Sequence, residues 1–483
     1  MSTSAKVTAR QRIENLLDDN SFVEIGAYVK ARNTDFNIQA KDTPSDGVIT
    51  GYGVINGGLV YVYSQDASVL GGSVGEMHAK KIASLYDMAM KTGSPVIGLI
   101  DSTGLRLQES VDGLNAFGQI YMKQSLASGV IPTVTAIFGN CGGGLSIVAG
   151  LSDFTFMEVE NAQLFVNSPN AITENRKEIC DNASAKFQSE EAGNVDFVGT
   201  EAEVIEGIRN LVSVLPSNNE DEASDLECYD DLNRAAEGIE NCGEDTLLAL
   251  ENISDDGFII EAKRNYAPEM VTAFIKLNGA TVGAVANRTK VYDDDMNVAA
   301  EFDAKLTAKG CNKAAEFVNF CDAFNIPVLT LTNVNGFAAT MCQEKNGAKA
   351  SSKLVYAFAN ATVPKVNLII GDAIGSAYVT MNSKATGADI VYAWPTAKVG
   401  MMEAKSAVEI MYADEIANGD ANQVINEKVA EYQNLQGSVM AAAARGYVDS
   451  IVEPVDTRKY LIGAFEMLFT KREDRPAKKH GTV

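Results

Sequence analysis

The sequence predicts an α/β fold built from two tandem copies of one layered domain. Short runs of valine, isoleucine and leucine alternate with segments of helical periodicity, which is typical of parallel strands covered on both faces. The run at 95–100 recurs at 327–332, and the run at 131–139 recurs at 363–371, so both pairs have the same long spacing along the chain. Because solenoid repeats are far shorter, this repeat spacing indicates a duplicated domain.

The elements of the first copy follow one another in a regular order. A helical pattern precedes the buried strand at Pro95–Ile100, and the polar, glycine-containing loop Asp101–Gly104 follows it. A second helical pattern leads to the buried strand Ile131–Gly139. That strand runs directly into the small-residue turn Gly139–Gly144, and Leu145–Ala149 is predicted to begin the next helix.

The second copy repeats this order. Pro327–Thr332 is predicted as its first strand and Asn333–Gly336 as its loop, and the later strand Val363–Gly371 ends in the turn Gly371–Ala377.

A linker is predicted between the copies. The chain from 216 to about 243 is acidic, polar and rich in turn residues. We therefore expect two domains, at residues 1–240 and 241–483.

The composition excludes several classes of protein. The 483 residues contain 40 lysines and arginines against 64 aspartates and glutamates, and the resulting net charge of −24 argues against binding to nucleic acid. Only two histidines are present, His78 and His480, so neither a histidine-rich metal site nor a His-centred triad is expected. We expect His78 to be a packed or interface residue rather than a catalytic base.

The cysteine pattern and the hydropathy predict a cytoplasmic location. The seven cysteines are an odd number, are scattered and form no Cys-x-x-Cys pair, so neither a zinc ribbon nor a disulfide framework is indicated. The first twenty residues do not resemble a signal peptide, and no run of about 18 apolar residues occurs.

The turn after the second strand of the first copy contains candidate hydrogen-bond donors. Gly142, Gly143 and Gly144 have no side chains, so a ligand can approach the backbone, and the first amides of the following helix have no intrahelical partner. Such amides suit an oxyanion or a phosphate.

The matching turn of the second copy contains Gly375, Ser376 and Ala377. Two donor sets on duplicated domains can hold two developing oxyanions, one from each reaction partner. Two other interpretations remain open. The glycines can serve only tight packing of strand against helix, or they can mark a dinucleotide site, although neither turn has the pattern Gly-x-Gly-x-x-Gly.

The loop after the first strand contains Ser102, Gly104 and Arg106. At the carboxyl end of a parallel strand, such a loop commonly faces a ligand crevice, which makes these residues candidates for substrate binding. Alternatively, Arg106 pairs with Glu109 on a helix surface.

Nine segments spread over nearly the whole chain match one family in combination. They are Ser45–Gly53, Ser64–Asp66, Gly71–His78, Ala127–Pro132, Leu215–Asn219, Phe320–Pro327, Tyr392–Thr396, Lys471–Glu473 and Lys478–Gly481. With these segments the chain resembles the carboxyltransferase subunits of biotin-dependent acyl-CoA carboxylases and decarboxylases, of the propionyl-CoA carboxylase β and methylmalonyl-CoA decarboxylase α type.

This resemblance implies a pair of crotonase-like domains, usually assembled into a homohexamer in which halves of different subunits form each active site. It also implies that a carboxyl group moves between the ureido nitrogen of biotin, carried on another protein, and the carbon next to an acyl-CoA thioester. Biotin can itself take or give the proton while backbone donors stabilise the enolates, which suits a histidine-poor chain. The implied partners are a biotin carrier protein and either a biotin carboxylase or a membrane decarboxylase subunit.

The resemblance also assigns the two turns. The family's N-terminal turn serves the thioester enolate, and Gly143 and Gly144 occupy the matching positions. Its C-terminal turn serves biotin, and Ser376 and Ala377 fall there, with Ser376 in place of the usual glycine. With Ser102, Gly104, Arg106, Gly142 and Gly375 as substrate-binding candidates, the predicted site requires no metal.

Four segments depart from the family pattern near the expected site. They are Asp101–Arg106, Asn335–Thr340, Glu174–Glu178 and Met402–Ala407, and at Asn335–Thr340 the family has Pro-Gly-Phe-Leu-Pro-Gly.

The leading hypothesis is an acyl-CoA carboxyltransferase, either in a carboxylase or as the soluble subunit of a sodium-pumping decarboxylase. The alternatives are a non-catalytic scaffold or regulatory paralogue, and a crotonase-type hydratase or hydrolase that works without biotin.

Overall fold

The computed structural model describes residues 7–32, 42–172, 181–221, 228–293 and 295–476. The chain forms two compact units, 1–223 and 224–483. The departing segment Glu174–Glu178, the linker residues 222–227 and the C-terminal segment Lys478–Gly481, with His480, lie outside the described residues.

The described part of the first unit contains an eight-stranded sheet and five α-helices. Its strands are β1 (Val23–Ile25), β2 (Val48–Ile55), β3 (Gly58–Gln65), β4 (Val96–Ser102), β5 (Thr133–Gly142), β6 (Phe154–Glu158), β7 (Gln163–Phe165) and β8 (Phe197–Gly199). Its helices are α1 (Ala9–Leu16), α2 (Glu76–Thr92), α3 (Ser110–Ala127), α4 (Gly144–Gly150) and α5 (Glu201–Val214).

The described part of the second unit contains a second eight-stranded sheet, a two-stranded ribbon and nine α-helices. Its strands are β9 (Ile259–Ala262), β10 (Met270–Leu277), β11 (Ala280–Asn287), β12 (Lys290–Tyr292), β13 (Val298–Glu301), β14 (Val328–Asn335), β15 (Lys365–Ile374), β16 (Ile390–Ala393), β17 (Lys398–Gly400) and β18 (Ser450–Ile451). Its helices are α6 (Thr246–Ile253), α7 (Ala308–Ala323), α8 (Met341–Asn360), α9 (Gly375–Thr380), α10 (Ala404–Met411), α11 (Ala413–Asn418), α12 (Ala421–Tyr432), α13 (Val439–Ala443) and α14 (Thr457–Leu468).

The two sheets have the same topology. The first has the order β1-β2-β3-β4-β5-β6-β8 with β7 paired to β5, and the second has the order β9-β10-β11-β14-β15-β16-β18 with β17 paired to β15. In each sheet the first three strands are antiparallel and the pairs that follow are parallel.

The strand register also repeats between the units. Val96 pairs with Thr133 in the first sheet, and Val328 pairs with Lys365 in the second. Both members of the pair are displaced by the repeat spacing that the sequence shows. In both units the register of this strand pair shifts near the end of the earlier strand. The shift follows Ile100 in β4 and Thr332 in β14.

The central strands lie in the core because their side chains are apolar on both faces. Every residue of β4 is buried, as expected for a parallel strand covered by helices. Gly98 is required within it, since a Cβ there would overlap the Tyr63 hydroxyl group. Helix α2 covers this region and ends at Gly93, whose φ of +61° is the left-handed C-cap conformation.

Candidate active site

The sheet brings the loop and the turn of the first unit together. Ser102, the last residue of β4, pairs with Cys141 near the end of β5. The Ser102 hydroxyl donates to the Gly72 carbonyl oxygen at 2.7 Å and accepts the Gly104 amide at 3.1 Å. A Cβ on Gly104 would lie 3.7 Å from the Gly142 carbonyl oxygen. The loop residues predicted from sequence therefore line the turn through their backbone.

The three glycines of the first turn have different roles. A Cβ on Gly142 would overlap the Phe165 ring, and one on Gly144 would lie 2.7 Å from the Tyr121 hydroxyl oxygen. Gly143 has φ +60° and ψ −127°, and its Cβ position has no neighbour within 4 Å. Packing therefore closes both sides of the turn, whereas Gly143 faces open space that a ligand can enter.

The open donors of this turn begin one residue later than the sequence suggested. The Gly143 amide donates to the Phe165 carbonyl oxygen at 2.9 Å, so it is used within the protein. Gly144 and Leu145 open α4, where amides have no acceptor within the helix. Gly143 thus contributes its conformation rather than an open N–H group, which corrects its assignment as a donor.

Like the first turn, the second turn contains a glycine with a positive φ, but it has fewer glycines. Gly375 has φ +72° and begins α9, and a Cβ there would lie 3.3 Å from the Met401 carbonyl oxygen. Ser376 is exposed and Ala377 is buried. Because these two residues occupy the first turn of the helix, their amides have no acceptor within it.

Each turn begins at a glycine whose backbone lies close to a polar side chain of the neighbouring strand, which leaves no room for a Cβ. A Cβ on Gly139 would overlap the Asp101 carboxylate, and a Cβ on Gly371 would lie 2.5 Å from the Asn333 amide oxygen. The two glycines are related by the repeat spacing, and so are the side chains that they meet. The packing interpretation of the glycines therefore applies here, a few residues before the open donors.

Arg106 is buried, with 2% of its surface exposed. Its guanidinium donates to an Asp46 carboxylate oxygen at 2.6 Å, to Glu109 at 2.8 Å and to the Ser73 carbonyl oxygen at 2.7 Å. The Glu109 pair foreseen from sequence is present, but it lies in the interior instead of on a helix surface. These contacts correct the expectation that the Arg106 side chain faces a ligand, because its charge is already paired inside the domain.

His78 lies beside this cluster and is fully buried. Its Nδ1 lies 3.0 Å from the Asp46 carbonyl oxygen, which can only accept, so Nδ1 carries the proton. Its Nε2 lies 3.2 Å from the Gln65 side-chain nitrogen and accepts from it. Burial, and after it the positive charge of Arg106, lowers the pKa of His78 to about 3. His78 is therefore a neutral packed residue, as expected, and not a general base.

Several side-chain contacts around the turns were not identified from sequence. In the first unit, the Tyr121 hydroxyl donates to the Gly144 carbonyl oxygen at 2.7 Å. In the second, Asn335 at the end of β14 contacts Lys305, Glu403 and Asp372, and Asp372 pairs with Lys398, next to the turn. Asn335 and Asp372 lie in the predicted loop and turn of the second copy, but their contacts depend on which strands become neighbours, and the sequence pattern does not show this.

The described residues provide neither a metal site nor a membrane span. Within them, no group of three or more His, Cys, Asp or Glu side chains is arranged to hold a metal ion. No helix in the same ranges is both long and apolar enough to cross a membrane.

Similar proteins of known sequence cover almost the full chain. The methylmalonyl-CoA decarboxylase subunit alpha of Propionigenium modestum is 39% identical over 99% of this chain and 93% of its own length. The propionyl-CoA carboxylase carboxyltransferase subunit of Haloferax mediterranei is 38% identical over the same shares of the two chains. These relatives support the catalytic interpretation rather than the scaffold.

A solved structure matches the fold. A crystal structure of transcarboxylase 12S, described with its hexamer assembly and with hydrolysed methylmalonyl-coenzyme A bound, superimposes with a TM-score of 0.91 at 38% identity, covering 98% of this chain and 92% of that one. The match confirms the predicted α/β, crotonase-like fold class. Residues 2–483 match the model of the carboxyl transferase domain, and the chain belongs to that family.

Proposed function

We propose that this chain is the carboxyltransferase component of a biotin-dependent acyl-CoA carboxylase or decarboxylase. It moves a carboxyl group between carrier-bound biotin and the α-carbon of a short acyl-CoA of the methylmalonyl, malonyl or propionyl class. The observation that carries the proposal is the pair of open helix N-termini, at Gly144 and at Ser376, that follow strands of identical register. The names of the relatives supply the substrate class.

The first turn is proposed to stabilise the thioester enolate. When the α-carbon loses a carboxyl group or a proton, negative charge develops on the thioester oxygen. The amides of Gly144 and Leu145, at the positive end of α4, are preorganised donors for that charge. The open face of Gly143 lets the thioester approach these amides. One such donor is typically worth about 3 kcal/mol of transition-state stabilisation.

The second turn is proposed to hold the biotin ureido group, which supplies the nitrogen that carries the carboxyl group. Ser376 and Ala377 offer backbone amides there, and the exposure of Ser376 leaves room for a ligand from a separate protein. Because a backbone donor needs only its N–H group, serine can replace the family's glycine.

The remaining predicted residues are proposed to shape the two turns. Ser102, Gly104 and Gly142 keep the first loop and turn in contact, and Arg106 holds that loop from inside the domain. Gly375 supplies the positive φ that starts the second helix. The proposed assembly is a homohexamer that works with a biotin carrier protein and with a biotin carboxylase or a membrane decarboxylase subunit, through which the chain would associate with a membrane.

The first experiment incubates purified protein with free biotin and methylmalonyl-CoA or malonyl-CoA. We expect decarboxylation or carboxyl transfer, and the absence of both would contradict the proposal. Calorimetry with several acyl-CoA thioesters distinguishes the proposed enzyme from the scaffold alternative, because a scaffold shows no saturable acyl-CoA binding. Gly143→Val should block the first turn, and unchanged turnover in that variant would remove the assignment of the turn to the thioester.

A further inference from the structure

A cation that the proposed mechanism does not use lies beside the second turn. The Lys305 ammonium donates to the Asn335 carbonyl oxygen and lies 3.5 Å from the Asn335 amide oxygen. It also lies 3.6 Å from the position that a Cβ on Gly336 would take. Asn335 ends β14 and pairs in the ladder with Ile374, the residue directly before Gly375 and α9. Lys305 therefore holds the strand end that adjoins the proposed biotin-binding turn.

The Asn335 side chain in turn contacts two carboxylates near the turn, those of Glu403 and Asp372. Its side-chain nitrogen donates to a Glu403 carboxylate oxygen at 2.7 Å and lies 3.4 Å from an Asp372 carboxylate oxygen. Asp372 lies two residues before Ile374 in β15 and pairs at 3.8 Å with Lys398 of β17. These five side chains, Lys305, Asn335, Asp372, Lys398 and Glu403, form what we call the turn cluster.

The charges of the turn cluster balance only when Lys305 is present. The turn cluster contains two lysines and two carboxylates, so removing the Lys305 charge leaves the cluster with a net negative charge, next to a turn whose amides are proposed to stabilise a developing anion. Like charges disfavour one another, and the partial exposure of the cluster weakens this repulsion without removing it. Lys305 thus has two consequences for the turn, one geometric and one electrostatic.

The same loop is held differently in the first unit. By the repeat spacing, the counterpart of Lys305 is Ser73, which accepts hydrogen bonds from Arg106 on the loop. In the second unit Ala338 occupies the position that corresponds to Arg106 and carries no charge. The cation there is Lys305, which lies in the segment before α7. The loop there contains no proline between Asn335 and Thr340, so no proline ring restricts its backbone.

We infer that Lys305 is a positioning residue for the biotin half of the reaction: through Asn335 and Glu403 it orders the second turn, and its charge offsets the carboxylates beside that turn. This inference rests on the proposed function.

The test measures carboxyl transfer from methylmalonyl-CoA to free biotin by Lys305→Met, with KM determined separately for each substrate. We expect kcat/KM for biotin to fall about tenfold, as for loss of one charge-assisted contact, with KM for methylmalonyl-CoA unchanged. Lys305→Arg should recover most of the loss. In Lys305→Met/Glu403→Gln, where one charge of each sign remains, part of the loss should also be recovered. Lys353→Met, on the exposed face of α8, is the matched control.

The results of this experiment distinguish failure of the proposed function from failure of the inference about Lys305. Inactive wild-type protein contradicts the proposed function. Active wild-type protein with an unchanged kcat/KM for biotin in Lys305→Met overturns the inference alone. Equal losses for both substrates, together with a lower urea midpoint, show a structural role and also overturn it.

Discussion

The two units use one backbone framework and support it in opposite ways. In the first, the buried Arg106 lies on the loop and reaches back to Ser73. In the second, the partly exposed Lys305 lies before the loop and reaches forward to Asn335. Strand order, register and the shift in register are the same in both. The duplicated sheet therefore determines where the two turns lie, whereas the side chains that hold the adjoining loops differ between the units.

The largest expected difference between the units concerns these two cations. Arg106→Met leaves the buried Asp46 and Glu109 carboxylates without their partner and should lower the free energy of unfolding by about 3–5 kcal/mol. Lys305→Met should cost about 1 kcal/mol or less, because its contacts are partly exposed. Urea titration of both variants tests this contrast, and equal losses would contradict it.

The second prediction concerns pH. His78 is specific to the first unit, since Gly310 occupies the equivalent position of the second. Its pKa of about 3 in the folded chain lies below its unfolded value, so the unfolded state binds more protons between pH 6.5 and 3. The stability that neutral His78 contributes is therefore complete above pH 6.5 and is lost as the pH falls. We expect this loss to reach roughly 3 kcal/mol at about pH 4.5.

Urea titrations of the wild type and His78→Gln from about pH 7 to about pH 4.5 measure this contribution. The difference in free energy of unfolding between the two proteins should shrink as the pH falls. A difference that stays constant across this range would show that His78 is not the group responsible.

The third prediction compares the glycines of the turns. Gly144→Ala places a methyl group 2.7 Å from the Tyr121 hydroxyl and should cost about 1–3 kcal/mol. Gly375→Ala meets the Met401 carbonyl oxygen at 3.3 Å and has a positive φ, which should cost about 1–2 kcal/mol. Thermal unfolding of both variants gives the measurement.

Gly150→Ala is the matched control for these glycines. It lies at the end of α4, its φ is not positive and its Cβ position has no neighbour within 4 Å. We expect it to be neutral or to stabilise the protein by about 0.5 kcal/mol. A loss of stability as large as that of Gly144→Ala would contradict the distinction between glycines whose Cβ position is blocked and glycines whose Cβ position is free.

Sequence alone predicted the framework well because buried parallel strands and a constant spacing leave a local signal. The strands at 95–100 and 327–332 and the turns after the later strands are in the structure. What the sequence did not contain is side-chain direction. Arg106 is charged and near a turn, yet Asp46, far earlier in the chain, draws it into the interior. Likewise, the Gly143 amide donates to the Phe165 carbonyl oxygen because β5 pairs with β7, and the sequence does not show that pairing.

The assignment of the second turn to biotin is the central claim, and removal of one amide tests it most directly. Ser376 lies in the first turn of α9, where its amide has no acceptor within the helix, so Ser376→Pro deletes an N–H group without breaking a helical hydrogen bond, whereas Ser376→Ala keeps that group. The measurement is the rate of carboxyl transfer from methylmalonyl-CoA to biotin, with the acyl-CoA Kd from calorimetry. We predict a rate about 10²–10³-fold lower for proline than for alanine, with the same Kd. Equal rates for the two variants would contradict the account.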